Sequence, residues 1–167
     1  CISGDGDIST LAETLGSRNT ALQNLSLRGN DITSAGVLVL TEMMEQNRHI
    51  TDLNLSLNHS IGNEGASLLA RSLINNALPN LTRLSLYSCG IGDDGFIALV
   101  SALEQNTSLL QLDLCYHEEL SERSFLALAK SLPEIKVLQE VHLSLSTVLA
   151  SATPFLLPGL PKNTSLI

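Results

Sequence analysis

A leucine-rich motif that recurs at nearly constant intervals constrains this chain more than any other feature. In its first copy, residues 22–30, leucine occupies the first, fourth and sixth places and asparagine the ninth. Later copies begin at residues 50, 81, 109 and 138, so the successive steps are 28, 31, 28 and 29 residues. Chance does not produce five copies in register. Such a period predicts a stack of similar units instead of one irregular core.

Each repeat is predicted to hold one short strand and one helix. The second and third leucines of the motif are two residues apart, so both side chains point to the same strand face. After the strand, isoleucine precedes glycine by four residues in Ile32–Gly36, Ile61–Gly65 and Ile91–Gly95. Aliphatic residues at helical spacing follow, which indicates an amphipathic helix. We expect the glycine to let helix and strand backbones approach closely, or alternatively to form a turn.

These motifs resemble the leucine-rich-repeat family, and the long period is similar to that of its ribonuclease-inhibitor-type subclass. The resemblance covers nearly the whole chain and implies an α/β solenoid of about five strands. Parallel strands lie about 4.8 Å apart whereas packed helices need about 8–10 Å, so the helical side must fan out. We therefore expect a curved parallel sheet on the concave side and helices on the convex side.

A single leucine-rich-repeat domain is predicted over residues 1–167. Ile2 and Gly6 repeat the isoleucine–glycine spacing, and residues 163–166 match the lead-in to a strand at 106–109. We expect the chain to be a fragment of a longer array. Three prolines in the last unit predict a short or broken helix there, because proline inside a helix costs about 3 kcal/mol or more.

Composition restricts the partners and the compartment. Seventeen acidic against nine basic residues give a formal net charge of −8, which disfavours nucleic acid as a partner. No segment is long and apolar enough to predict insertion into a membrane. Three cysteines do not suggest a disulfide framework and favour the cytoplasm. Six Asn-x-Ser/Thr matches leave an exported effector or a secreted protein as the alternative.

Catalytic and metal-binding motifs are missing from the sequence, so we predict no enzyme, no cofactor and no metal site. There is no phosphate-binding loop, no HExxH and no GxSxG. Cys115 and His117 could form a nucleophile–base pair, a hypothesis that competes with a structural role for His117. His117 occupies the ninth motif place, where a polar side chain bonds the loop backbone. The acidic residues are densest at Asp93, Asp94, Glu118 and Glu119. This is the one cluster for which a calcium-binding test is warranted.

Three rows of side chains are predicted to face the concave side, because alternation turns the residues beside the strand leucines away from the core. Most are small and polar, as in a solvated sheet face. Arginine and tyrosine are enriched among interface hot spots. The candidate partner-binding residues, with Tyr116 at the strand edge, are Arg28, Arg83, Tyr87, Asp113, Tyr116 and His142. The predicted contact patch within them comprises Arg83, Tyr87, Asp113 and Tyr116.

The leading hypothesis for function is a protein–protein interaction module, the repeat region of a larger receptor, scaffold or effector. Its partner is another protein, which the sequence does not identify. The subclass also contains the Ran GTPase-activating protein, so the resemblance implies as an alternative a GTPase regulator acting through its rim loops. Arg28 and Arg123 are the arginines available there. A purely structural spacer is the remaining alternative.

Overall fold

Five strands form one parallel sheet in the computed structural model, which describes residues 4–16 and 21–143. The strands are β1 (Asn24–Ser26), β2 (Asp52–Asn54), β3 (Arg83–Ser85), β4 (Gln111–Asp113) and β5 (Glu140–His142). They follow one another in sequence order across the sheet. Equivalent motif positions pair, so that Leu53 faces Leu25 on one side and Leu84 on the other. The repeat period therefore equals the structural period.

A helix accompanies each strand. The helices are α1 (Asp5–Gly16), α2 (Ser34–Gln46), α3 (Gly62–Ile74), α4 (Asp93–Leu103) and α5 (Glu122–Ser131). Helices α1 to α4 each pack against the helix that follows, as strands β1 to β4 each pair with the strand that follows. This alternation confirms the predicted α/β solenoid with the sheet on its concave side and helices on its convex side. The helix break predicted from the prolines lies outside the described residues.

The core is a continuous layer of aliphatic side chains between the sheet and the helices. The third motif leucines Leu27, Leu55, Leu86 and Leu114 are at most 2% exposed. Two phenylalanines, Phe96 of α4 and Phe125 of α5, close the layer between the later repeats with ring centroids 6.1 Å apart. Because this layer crosses every repeat boundary, each unit depends on its neighbours for burial.

Asn58, at the ninth motif place, holds together two successive loops. Its side-chain oxygen accepts hydrogen bonds from the backbone N–H groups of Asn30 at 2.8 Å and Ile32 at 3.1 Å. Its amide nitrogen donates to the carbonyls of Leu27 at 2.9 Å and Leu55 at 2.7 Å. The side chain is fully buried. The Asn-x-Ser match at this position therefore serves the fold and offers no accessible amide for a glycan.

Cys89 and His117 occupy the same place in the next two repeats. The Cys89 thiol donates to the Leu55 carbonyl at 3.2 Å, and burial raises the pKa of this thiol to about 12. The Nδ1 atom of His117 accepts from the backbone N–H of Ile91 at 3.2 Å, which confirms its predicted role in bonding the loop. Burial lowers the pKa of His117, although the Leu86 carbonyl and the charge of Asp113 act in the opposite direction.

Protonation of His117 is expected to loosen the solenoid at acidic pH. The pKa of His117 is lowered in the folded chain, whereas in the unfolded chain it lies near its ordinary value of about 6.5. The stabilisation that comes from the neutral ring is therefore complete above about pH 6.5 and is lost as the pH falls towards the folded pKa. Urea unfolding at pH 7.5 and pH 5.0 should show a smaller loss of stability for His117→Asn than for wild type. The control is His49→Asn, which removes an exposed histidine; equal losses in wild type and His117→Asn would contradict the prediction.

The glycine of the isoleucine–glycine spacing serves contacts between helices. A Cβ atom added to Gly95 of α4 would lie 2.8 Å from Asn63 Oδ1 and 2.9 Å from Ala66 Cβ, both in α3. One added to Gly36 of α2 would meet the carboxylate of Asp5 in α1. Neither glycine has a positive φ. Our expectations of a close approach to the strand or of a turn are therefore wrong, because the helix of the preceding repeat lies against each of these glycines.

Acidic residues in the first helical turn bind the start of the following helix. The Asp93 carboxylate of α4 accepts hydrogen bonds from the Ser121 N–H at 2.8 Å and from the hydroxyls of Ser121 and Ser124. Ser121 is the N-cap of α5, and Asp5 of α1 bonds the α2 N-cap, Thr33, in the same way. Burial would raise the pKa of Asp93, but the hydrogen bonds from Ser121 and Ser124 outweigh it and keep this pKa below its ordinary value. The acids near the helix N-termini thus link adjacent repeats.

Candidate functional site

The exposed side of the sheet forms an open groove, which we call the concave groove. It has a volume of about 320 Å³, at the low end of the usual range for small-molecule sites. It arises because Leu25, Leu53, Leu84 and Leu112 turn into the core, so the residues on either side of each leucine face solvent. Its polar lining includes Asp52, Asn54, Arg83, Ser85, Asp113 and His142. An open groove with both leucine and polar side chains in its lining can receive protruding side chains of another protein.

Arg83 forms a salt bridge across the sheet with Asp52, in which Nε meets Oδ1. The two residues face each other in the register of β2 and β3. Their side chains are 56% and 19% exposed, so the pair contributes little to stability, about 0–1 kcal/mol. Its main effect is to orient the guanidinium within the groove. This pair could have been predicted from the sequence, because Asp52 and Arg83 have opposite charges and occupy the same motif place in adjacent copies.

Arg28, Tyr87 and Tyr116 form a second feature, which we call the aromatic cluster. The rings of Tyr87 and Tyr116 are tilted by 42° with their centroids 4.8 Å apart. The guanidinium carbon of Arg28 lies 5.5 Å from the centroid of Tyr87, within the range of a cation–π interaction. Tyr116 is 62% exposed. The cluster therefore presents an ordered aromatic surface to solvent beyond the ends of β1, β3 and β4.

Ser56 occupies the same motif place as Arg28 and Tyr87 but is only 1% exposed. In repeat order it stands between Arg28 and Tyr87, and its hydroxyl lies 2.8 Å from that of Ser85. A small side chain here leaves room for Arg28 to reach the tyrosine two repeats away. A long side chain at this place would stand between the arginine and the ring.

Asp113 and His142 line the groove towards β5. One carboxylate oxygen of Asp113 accepts from the Cys115 N–H at 3.0 Å, and the other accepts from the Ser85 hydroxyl at 3.2 Å. The Nε2 atom of His142 lies 3.4 Å from a carboxylate oxygen of Glu140. Asp113 takes part in none of the salt bridges between described residues.

The six candidate residues thus fall into two groups. Ring contacts bring Arg28, Tyr87 and Tyr116 together, while Arg83, Asp113 and His142 line the concave groove. The predicted contact patch therefore combines two residues of the aromatic cluster, Tyr87 and Tyr116, with two residues of the concave groove, Arg83 and Asp113. The stacking of Arg28 on Tyr87 had no signal in the sequence, because it depends on the side chain of the intervening repeat.

The remaining sequence candidates have structural partners. Asp93 binds the start of α5, and Asp94 pairs with Arg123 at 2.7 Å. No group of three or more His, Cys, Asp or Glu side chains within residues 4–16 and 21–143 is arranged to hold a metal ion. His117 is 5% exposed and its Nδ1 accepts from the Ile91 N–H, so this nitrogen is not available to activate Cys115. No helix in the described part of the chain is long and apolar enough to cross a membrane.

Comparisons with known proteins agree with this architecture. A family model described as Leucine Rich repeat matches residues 18–40, 46–70 and 77–100. The human NACHT, LRR and PYD domains-containing protein 5 is 38% identical over 112 residues, which are 66% of this chain and 9% of that protein. Pig ribonuclease inhibitor is 32% identical over 113 residues, covering 66% of this chain and 24% of the inhibitor. The matched region is thus a small part of either relative.

A solved structure of leiomodin-1 actin-binding site 2 superposes with a TM-score of 0.70 at 22% identity. The alignment covers 93% of this chain and 89% of the leiomodin chain. At this identity the likeness concerns the fold alone. Relatives with these repeats support a protein-binding module. The family match, the relatives and the five in-register strand–helix units together show that this chain belongs to the leucine-rich-repeat family.

Proposed function

We propose that this chain is the repeat region of a larger receptor, scaffold or effector and holds a protein partner on its concave face. The observation that carries the proposal is the position of the concave groove and the aromatic cluster on the exposed side of one sheet. The leucines beneath account for the fold, whereas the arginine and the tyrosines above them lie outside the core. These are the residue types that dominate binding energy in protein interfaces.

The aromatic cluster supplies both affinity and order. Covering the exposed part of Tyr116 would bury on the order of 100 Å² of largely apolar surface, which corresponds to about 2.5 kcal/mol. The Tyr116 ring already contacts the Tyr87 ring, and the guanidinium of Arg28 lies over Tyr87 in a cation–π interaction. A partner therefore meets side chains that are partly ordered before it binds, which reduces the loss of conformational entropy.

The alternatives are less well supported. A Ran-type GTPase regulator would act through rim arginines, but Arg123 pairs with Asp94 and Arg28 stacks on Tyr87. The relatives reported above lend that reading no support. A role as a structural spacer would not explain why two tyrosine rings contact each other on the surface. Cytoplasmic localisation stays a prediction from the cysteine content, with an exported or secreted protein as its alternative.

Site-specific photo-crosslinking tests which face binds. A photoreactive amino acid is placed at Ser26 on the concave face or at Ser101 on the exposed side of α4. We expect a specific protein adduct in cells from position 26 and none from position 101. The same adducts from both positions, or an adduct from position 101 alone, would contradict binding at the concave face.

The double substitution Tyr87→Ala, Arg83→Ala is expected to weaken binding of the crosslinked partner at least tenfold. It removes an aromatic anchor and the oriented guanidinium of the groove, and central residues of this kind contribute about 2 kcal/mol or more. Isothermal titration calorimetry measures the change. The matched control, Arg71→Ala, Ile74→Ala, removes an arginine and an exposed aliphatic side chain from α3 on the other face. An affinity within threefold of wild type for the concave variant would show that this patch is not the contact.

A further inference from the structure

Asp113 carries a negative charge that its structural role does not require. One carboxylate oxygen accepts a hydrogen bond from the N–H of Cys115, two residues later, at 3.0 Å. In β2 the equivalent residue is Asn54, whose amide oxygen accepts from the Ser56 N–H at 3.0 Å. A neutral amide thus makes the same local hydrogen bond. The charge of Asp113 is therefore an additional property of the concave groove.

Among the described residues, the sheet supplies a cation to Asp52 and none to Asp113. Asp52 faces Arg83 across the sheet and is paired with it. Asp113 faces His142 in the equivalent register, but the Nε2 atom of His142 lies beside Glu140. Within the described residues the second oxygen of Asp113 receives only the Ser85 hydroxyl, at 3.2 Å. The groove thus holds one compensated and one uncompensated carboxylate.

Covering Asp113 with a neutral surface would be unfavourable. The side chain is already half-buried, and a partner would remove the remaining water from a carboxylate without replacing the water's hydrogen bonds. A cation that arrives with the partner avoids this loss and gains attraction in a site of reduced solvent screening. The field of this carboxylate also extends into the core, where it acts on both Cys89 and His117. A net charge of −8 further favours the approach of a positive partner.

We propose that the partner protein places an arginine or lysine side chain in the concave groove against Asp113. This inference rests on the proposed function and specifies the chemistry of the partner. From the described part of the chain, each carboxylate oxygen of Asp113 accepts one hydrogen bond, which leaves it a further lone pair. An arginine can use both lone pairs with two parallel N–H donors. The Asp52–Arg83 pair provides a template for such a contact on the same sheet face.

Selection from a displayed library of random dodecapeptides on the immobilised chain tests this assignment. We expect the enriched peptides to share an arginine or lysine, and the strongest synthetic peptide to bind Asp113→Asn about tenfold more weakly than wild type. Asp113→Asn keeps the acceptor for Cys115, as Asn54 does in β2. Asp113→Ser copies the residue type of Ser26 and Ser85 in the same row and provides a second neutral variant. Urea unfolding verifies that both variants fold.

The matched control is Glu45→Gln, which removes one negative charge from an exposed position of α2. It should leave the peptide affinity unchanged, whereas raising NaCl from 50 to 300 mM should weaken wild type more than Asp113→Asn. Enriched peptides without a basic residue, a selection without binders, or equal affinity for wild type and Asp113→Asn would overturn the assignment. The proposed function is decided separately, by crosslinking from position 26.

Discussion

Replacing Leu84 with alanine is expected to lower the free energy of unfolding by about 2–5 kcal/mol. Leu84 is 2% exposed in β3, where it faces Leu53 on one side and Leu112 on the other. The cavity left by alanine would touch three repeats and interrupt the leucine layer at the middle of the array. Because a domain is commonly stable by only about 5–15 kcal/mol, a loss of this size is a large share of the total.

Urea unfolding followed by circular dichroism measures the effect of Leu84→Ala. The matched control is Leu38→Ala, since Leu38 lies on α2 with 39% of its surface exposed. The same chemical change should there lower the stability by less than about 2 kcal/mol, because a larger part of the Leu38 side chain stays in contact with water. If both variants lost equal stability, the leucine layer would not be the main source of cohesion between repeats.

Alanine at Gly95 is expected to destabilise the chain by about 1–3 kcal/mol, although alanine favours helices over glycine by roughly 0.5–1 kcal/mol. The new Cβ would lie 2.9 Å from the backbone Cα of Asn63 and equally close to the Cβ of Ala66. Backbone atoms cannot yield as a flexible side chain would, so α3 and α4 must move apart. That movement would also strain the hydrogen bond from the Gly95 N–H to the Asn63 side chain.

Gly6→Ala is the control for Gly95→Ala, because a Cβ at Gly6 of α1 meets no atom within 4 Å. Helix propensity should dominate there, so the variant should be as stable as wild type or more stable by up to about 1 kcal/mol. The two identical substitutions are thus expected to have opposite signs in thermal or urea unfolding. Stabilisation by Gly95→Ala would mean that the close contact of α3 with α4 does not restrict the array.

Local spacing predicted the fold well because the responsible forces act over short distances along the chain. The i, i+2 placement of leucines such as Leu25 and Leu27 specifies which strand face is buried. The common period then makes equivalent leucines pair between strands, as Leu25, Leu53 and Leu84 do. The polar side chain at the ninth place could also be assigned, since the role of His117 follows from its motif position.

The role of the glycine in the isoleucine–glycine spacing could not be deduced from the motif. A residue without a side chain indicates a close neighbour but does not identify that neighbour. Asn63 and Ala66 precede Gly95 by about one repeat, and only packing of the helices reveals that they occupy the missing volume. The acids near the helix starts follow the same rule, since Asp93 of α4 accepts a hydrogen bond from Ser121 at the start of the next helix.

Alternation predicted which candidate residues lie on the concave side but not how they group, and their role in binding stays a prediction. Alternation placed Arg83, Tyr87 and Asp113 on the concave side, while the choice of partners depended on neighbouring repeats. Arg28 reaches Tyr87 across an intervening repeat whose residue is a serine. Exchanging that serine for a long side chain would leave every motif leucine unchanged and would separate the arginine from the ring.

The sequence by itself determined the repeat period, the buried leucine register and therefore the family, since these follow from alternation and regular spacing. Tertiary structure alone decided which exposed side chains meet, because such contacts join residues about 30 or 60 positions apart and depend on side-chain length and rotamer. Within residues 4–16 and 21–143 it gave Asp52 a cation in Arg83 and gave none to Asp113. That difference is the basis of the proposal that a basic side chain of the partner binds in the groove.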